Sequence, residues 1–166
     1  MQTSLSGVIT TLSTTYRVKQ SGSIPVVRVS QGVTAINRVY EECARMLPVS
    51  GTYYRYSSRA EPNNTYESHK KYKEIRNAKN LQRLVITNQE LFELSEPQSG
   101  RETVGFPSEF PFKQNFQKII YGNFVAIIDL ETHTVCTIES AMLASFEKAI
   151  FLSLFGYIRR ERGARI

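Results

Sequence analysis

Apolar and polar positions are patterned most clearly over Phe116–Gly156. Phe116–Tyr121 is a β-rich run closed by Gly122-Asn123, a two-residue turn signal that supplies positive φ cheaply. Phe124–Asp129, FVAIID, is an unbroken apolar run, the pattern of a strand covered on both faces. Leu130–His133 is a polar corner before a third strand, Thr134–Glu139. Ser140 then stands at the N-cap of a long helix carrying Met142, Leu143, Phe146, Ile150 and Leu154 at three- and four-residue spacing. Phe151, Leu152, Phe155 and Ile158 broaden that stripe, so the helix is expected to lie deep.

Upstream, Leu5, Val8, Leu12 and Tyr16 fall at helical spacing and predict a short amphipathic helix over Met1–Lys19, broken at Gln20–Ser23. Ile24–Val29 reads as a strand, with Pro25 pointing to an edge or a strand start. Val33–Leu47 is the clearest helix: Val33, Ile36, Tyr40, Cys43 and Leu47 share one stripe, and Pro48 stops it. Thr52–Ser57 is an aromatic strand, and Arg59–Thr65 a loop. Tyr66–Asn80 is a basic helix with Tyr66, Tyr72 and Ile75 inward and Asn80 as C-cap. Leu81–Thr87 and Arg101–Phe106 are strands. Asn88–Ser99 reads as an irregular connector with a turn at Pro97–Gly100, and Pro107–Phe112 as a stiff loop. Helices alternating with strands in the first half imply parallel pairings. The meander adds antiparallel ones. The expected fold is α/β, a single domain with a mixed sheet flanked by helices.

Composition narrows the chemistry. The 166 residues are 41% hydrophobic and 22% charged, enough chain for one buried core. No segment is expected to span a membrane, no secretory leader pattern is present, and the cytoplasm is the default compartment. The net charge of +6 comes in part from His69–Lys79 and in part from a basic tail over residues 159–166. It permits contact with nucleic acid, although such charge also serves solvated surfaces. Cys43 and Cys136 are no disulfide framework and lack a second pair for zinc; they read as buried small hydrophobes. Of 15 acidic residues only Asp129 is an aspartate, and the histidines are His69 and His133. Metal and acid–base sites draw on Asp, His and Cys, so no metal, no cofactor and no enzyme activity are expected.

The succession IPVVRVSQGVTAINRVYEECARML, TYYRYSS, KYKEIRNAKNLQRLVIT, GRETVGFPSEFPF, FQKIIYGNFVAIIDLE and TIESAMLASFEKAIFLSLF resembles the C-terminal regulatory domain of TrmB-like transcriptional regulators. That domain is similar to one half of the phospholipase D fold. The resemblance covers about residues 22–157. It implies a fold whose former catalytic cleft serves as a sensor pocket for a sugar or other small effector. Phospholipase D enzymes use a histidine nucleophile, a lysine two residues on and a later aspartate. Here the corresponding hairpin offers Phe116, Lys118 and the turn Gly122-Asn123. A phenylalanine cannot attack phosphorus.

The residues carried over are Gly32, Arg76, Arg101 and Glu102. Arg76 offers a fixed fork of donors suited to a carboxylate or to sugar hydroxyls, and Glu102 could accept from Arg76, Arg101 or a ligand; an internal Arg76–Glu102 ion pair is the plainer alternative. Tyr54 and Tyr56 share one strand face, as core or as a stacking platform, and Lys118 completes the ligand candidates. Nucleic-acid candidates are Lys70, Lys71, Lys73, Lys79, Arg159 and Arg160. About 20 residues cannot bury the core of a winged helix. Met1–Lys19 is therefore read as the linker helix that joins and often dimerises such regulators, and DNA reading is left to a missing or separate winged-helix domain. The expected protein is a homodimeric, non-catalytic effector-sensing module, either a fragment or a stand-alone sensor. The alternative is a module of this fold that binds nucleic acid directly.

Overall fold

The computed structural model describes residues 24–58, 70–109, 114–164 and 166. The expected N-terminal helix, its breaker, the loop at 59–65, the start of the basic helix with His69, and part of the 107–112 loop lie outside the described residues. Within them the order is β1 (Val26–Gln31), α1 (Val33–Met46), β2 (Thr52–Ser58), α2 (Lys70–Ala78), β3 (Gln82–Asn88), α3 (Gln89–Leu94), β4 (Arg101–Phe106), β5 (Phe116–Tyr121), β6 (Phe124–Asp129), β7 (Thr134–Glu139) and α4 (Ala141–Arg162).

The strands form one seven-stranded sheet in the order β1-β7-β6-β5-β2-β3-β4. The pairs β2–β3 and β3–β4 are parallel. The meander β5–β6–β7 is antiparallel, joins β2 through β5, and takes β1 on its far edge. The mixed α/β sheet is thus the expected one, but β1 does not belong to its parallel part: it pairs antiparallel with β7, and α1 carries the chain back across the sheet to β2. Two local signals act as read. Gly122 takes φ +50° in the β5–β6 turn, and the Ser140 hydroxyl accepts from Leu143 N at 3.2 Å as the N-cap of α4.

Side-chain alternation gives the sheet two faces. On the first, α1 and α2 cover Tyr53, Ile119, Tyr121, Ala126 and Ile128 with Ile36, Tyr40, Cys43 and Tyr72. On the second, α4 lays Phe151, Phe155 and Ile158 over Tyr56, Ile86, Val104 and Ile120. Each fully buried aromatic or branched side chain contributes about 1.5–3 kcal/mol.

Three expectations need correction. Asn88–Ser99 is not irregular throughout: α3 forms from Gln89 to Leu94, because Gly105 of β4 leaves room for Phe92 and Gln89 against the sheet. The basic tail is not separate; Arg159, Arg160 and Arg162 form the last turn of α4, where cations meet the negative end of the helix dipole. Nor does α4 lie deep. It is long and apolar enough, by length and composition, to cross a membrane, yet only 22% of its most apolar window is buried. Met142, Phe146, Ile150, Leu152 and Tyr157 are exposed. A helix crossing a sheet has only one side to cover, so a stripe wider than that side remains open.

Candidate functional site

The ligand candidates sit on both faces of the sheet. On the α4 face, Lys118 of β5 reaches Glu147 of α4 with Nζ–Oε2 at 2.7 Å, and its ammonium lies 4.7 Å from the ring centroid of Tyr56. Tyr56 is the register partner of Lys118 on β2. Tyr54 and Tyr56 both pack against Phe151, with centroids 5.4 and 4.9 Å away, and Lys148 covers the Tyr54 ring at 5.3 Å. The two tyrosines do share a face, and α4 occupies it. Burial, with Glu147 nearby, pushes the Tyr56 phenol up to about 12. Glu102 is also on this face and pairs with Arg159 at 2.8 Å.

The opposite face holds Arg101 and Arg76. Arg101 is the register partner of Arg83, and Arg83 that of Tyr53, so Tyr53, Arg83 and Arg101 stand side by side on β2, β3 and β4. Two residues further along, Arg55, Val85 and Thr103 form the next row. Arg76 donates Nε and Nη2 to Asn77 Oδ1 at 3.1 and 2.9 Å, and its guanidinium lies 5.5 Å from the Tyr72 ring centroid. The Arg76–Glu102 ion pair therefore does not form, and the sheet separates both Glu102 and Lys118 from Arg76. One cleft joining all three is not what this fold builds.

Arg55 and Arg83 were not singled out from the sequence. The available signal was their position: alternate residues of strands flanked by apolar neighbours, where an arginine is rarely left without a partner. Arg83 is only 5% exposed, and one of its Nη atoms donates to Ser99 O at 3.4 Å. Arg55 hydrogen-bonds the Tyr40 hydroxyl. That hydroxyl donates to Gln117 Oε1, and Gln117 Nε2 donates to Ser57 Oγ at 3.3 Å. The Tyr53 and Tyr72 hydroxyls are bonded to each other. Burial, reinforced by Tyr72, raises the Tyr53 phenol well above its ordinary value. Burial, then the charges of Arg55 and Arg83, bring Arg101 down to about 10.

Several nucleic-acid candidates are engaged within the chain. Lys79 Nζ donates to Arg45 O at 2.6 Å and Leu47 O at 2.8 Å, capping the C-terminus of α1. Lys71 lies 3.5 Å from Glu41, and Lys70 4.0 Å from Glu74. Arg159 holds Glu102. Lys73 and Arg160 are exposed and make no ion pair among the described residues.

The chemistry-bearing residues outside these clusters have structural roles. Asp129 organises the β6–β7 turn, accepting from Glu131 N at 2.8 Å and from Thr132 N and Oγ1 at 3.2 and 2.7 Å; those hydrogen bonds lower its pKa. The His133 carbonyl accepts from Gly32 N at 2.8 Å, and Gly32 takes φ +99° as α1 begins. Cys43 is buried in the core and Cys136 half-buried. Among the described residues no three His, Cys, Asp or Glu side chains are grouped to hold a metal ion. An open groove of about 520 Å³ runs along α1, lined by Arg38, Glu41, Glu42, Arg45, Met46 and Lys71, and Glu41 pairs with both Arg45 and Lys71.

No protein-family profile matches the chain, and no curated protein matches it. Among solved structures it is similar to TrmBL2, an archaeal chromatin protein whose structure is described as showing a novel mode of DNA binding. The TM-score is 0.55 at 10% identity, over 91% of this chain and 59% of that one. The likeness is one of fold, and this chain spans about three fifths of that protein's length.

Proposed function

We propose that the chain is a non-catalytic regulatory module that senses a small effector within a DNA-associated system. The observation that carries this reading is the state of the β5–β6 hairpin. Where a phosphodiesterase of the resembled kind needs a nucleophile, the chain has Phe116, and Lys118 is tied to Glu147 and Tyr56. A lysine fixed in this way holds α4 on the sheet instead of holding a phosphate. Similarity of fold to a chromatin protein supports the DNA-associated context, with DNA itself read by a separate winged-helix domain. The exposed stripe Met142, Phe146, Ile150 and Tyr157 supports a homodimer, since association removes apolar surface from water. The cytoplasm is the compartment that fits such a role.

A thermal-shift screen of sugars and other metabolites, with a salt titration against duplex DNA, tests the reading. An effector selective for the folded chain raises the melting temperature by mass action, and duplex DNA alone binds weakly. A phosphodiesterase turnover abolished by one substitution would falsify it. The second reading is direct nucleic-acid binding through Lys70, Lys73 and Arg160, favoured by the exposure of Lys73 and Arg160. It predicts an affinity that falls steeply with salt and that drops when those residues are neutralised.

A further inference from the structure

We propose that Arg55, Arg83 and Arg101, together with the Thr103 hydroxyl, form a binding site for a small anion, a metabolite carrying a phosphate or carboxylate group. This rests on the reading of the chain as an effector sensor and names the class of effector.

The argument begins with register. Arg83 and Arg101 are direct neighbours on β3 and β4, about 4.8 Å apart across the pairing direction. Arg55 and Thr103 flank Val85 one row on. Like charges side by side in a sheet repel, and a buried guanidinium without a counter-charge is costly. Among the described residues none of the three arginines makes an ion pair. The one carboxylate on β2, β3 or β4 is Glu102, and it faces α4 and holds Arg159. Among the nearby carboxylates of α1, α2 and α3, Glu41 binds Arg45 and Lys71, Glu74 lies near Lys70, Glu90 accepts from Asn88 and Glu93 from Gln89; Glu42 lies near Cys43 and Tyr121.

The second observation is which polar atoms remain unpaired. Arg55 Nε, Arg83 Nε and Thr103 Oγ1 are enclosed and have no hydrogen-bond partner, although Arg83 is 5% exposed and Thr103 3%. Native proteins rarely leave several such donors orphaned together. Other atoms of the same side chains are anchored: Arg101 Nη2 on Glu96 O at 2.7 Å, Arg83 Nη2 on Ser99 O at 3.4 Å and Arg55 on Tyr40. These bonds fix the forks in advance of a ligand, which lowers the entropic cost of binding. Planar, fixed guanidinium forks suit the paired oxygens of a phosphate or carboxylate, and the hydroxyl of Thr103 adds a neutral donor. The phenols of Tyr40, Tyr53 and Tyr72 surround Arg55, and that of Tyr40 hydrogen-bonds it; none of the three is a carboxylate.

The test uses the full chain, with inorganic phosphate and citrate as probes at ionic strength held constant with sodium chloride. The melting temperature is expected to rise saturably with at least one of them. A response to phosphate alone assigns a phosphorylated ligand, and one to citrate alone a carboxylate. Arg83→Met and Arg101→Gln should weaken the apparent Kd by about tenfold or more, while Arg28→Gln, on the far edge strand, leaves it unchanged. Without probe, Arg101→Gln should melt at or above the parent, because one of three mutually repelling charges is gone. A lower melting point for Arg101→Gln, with equal probe responses in parent and variant, would mean that the chain supplies its own counter-charge, and the site would fall. Duplex DNA that displaces phosphate and loses affinity in Arg101→Gln would make the cluster a nucleic-acid contact and overturn the assignment. Phosphate binding in a chain that also turns over a phosphodiester would leave the site standing and remove the regulatory reading.

Discussion

Lys118 and Glu147 meet at 2.7 Å across the interface between β5 and α4, each side chain a little over one-fifth exposed. The Tyr56 ring lies under the same ammonium at 4.7 Å. Two charges and a phenol thus fasten the middle of a helix whose flanking residues Phe146 and Ile150 are exposed. Replacing Lys118 by Met leaves Glu147 half-buried without its cation, at an expected cost of about 1–2 kcal/mol in urea unfolding. Exchanging both residues for Met should cost less than the two single changes summed, the signature of a coupled pair. Strict additivity would show that the pair is incidental.

Gly105 is the position where α3 depends on the absence of a side chain. A Cβ there would lie 2.8 Å from both Gln89 Oε1 and the Phe92 ring. Gly105→Ala should push α3 off the sheet and destabilise by about 1–3 kcal/mol. Amide exchange of Gln89–Leu94 should accelerate more than that of β2 or β5. Uniform acceleration would mean that α3 is not a separable element.

Alkaline pH should unfold the chain through its tyrosines. Burial raises Tyr56 from 10.0 to about 12, so its folded-state pKa exceeds its unfolded one. Its contribution to stability is complete below pH 10, the unfolded value, and is lost as pH climbs through about 12. Tyr53 and Tyr121 are shifted the same way, chiefly by burial. The melting temperature should fall over that window while phenolate absorbance rises in step with unfolding. A melting temperature that holds steady through that window would contradict the burial of these rings.

The exposed stripe of α4 should govern association. Phe146→Glu and Ile150→Lys remove apolar surface without touching Phe151, Phe155 or Ile158, so the fold should persist. If a second copy covers the stripe, these changes should give monomers by light scattering. Deleting Met1–Lys19 tests the other candidate contact, and dimers surviving that truncation would assign dimerisation to α4.

Much of this protein was legible in its sequence because strong local rules act over short stretches. The unbroken FVAIID run, the Gly122-Asn123 turn, the Ser140 cap and the 3.6-residue stripe of α1 each depend on neighbours a few residues away. They fix β5, β6, β7, α1 and the start of α4 without reference to the rest of the chain. Tertiary structure decided what those rules do not reach. Strand order put β1 against β7 instead of among the parallel strands, and the alternation of each strand then sorted residues between faces. Arg101 and Glu102 are adjacent in the chain, yet consecutive residues of a strand point to opposite sides, so one joins the arginines and the other reaches Arg159. Arg55, Arg83 and Arg101 come from three strands, and only their parallel register makes them neighbours. The width of the apolar stripe on α4 could be read from the sequence; how little of it the sheet would cover could not, because that depends on the angle and contact area of a helix crossing seven strands.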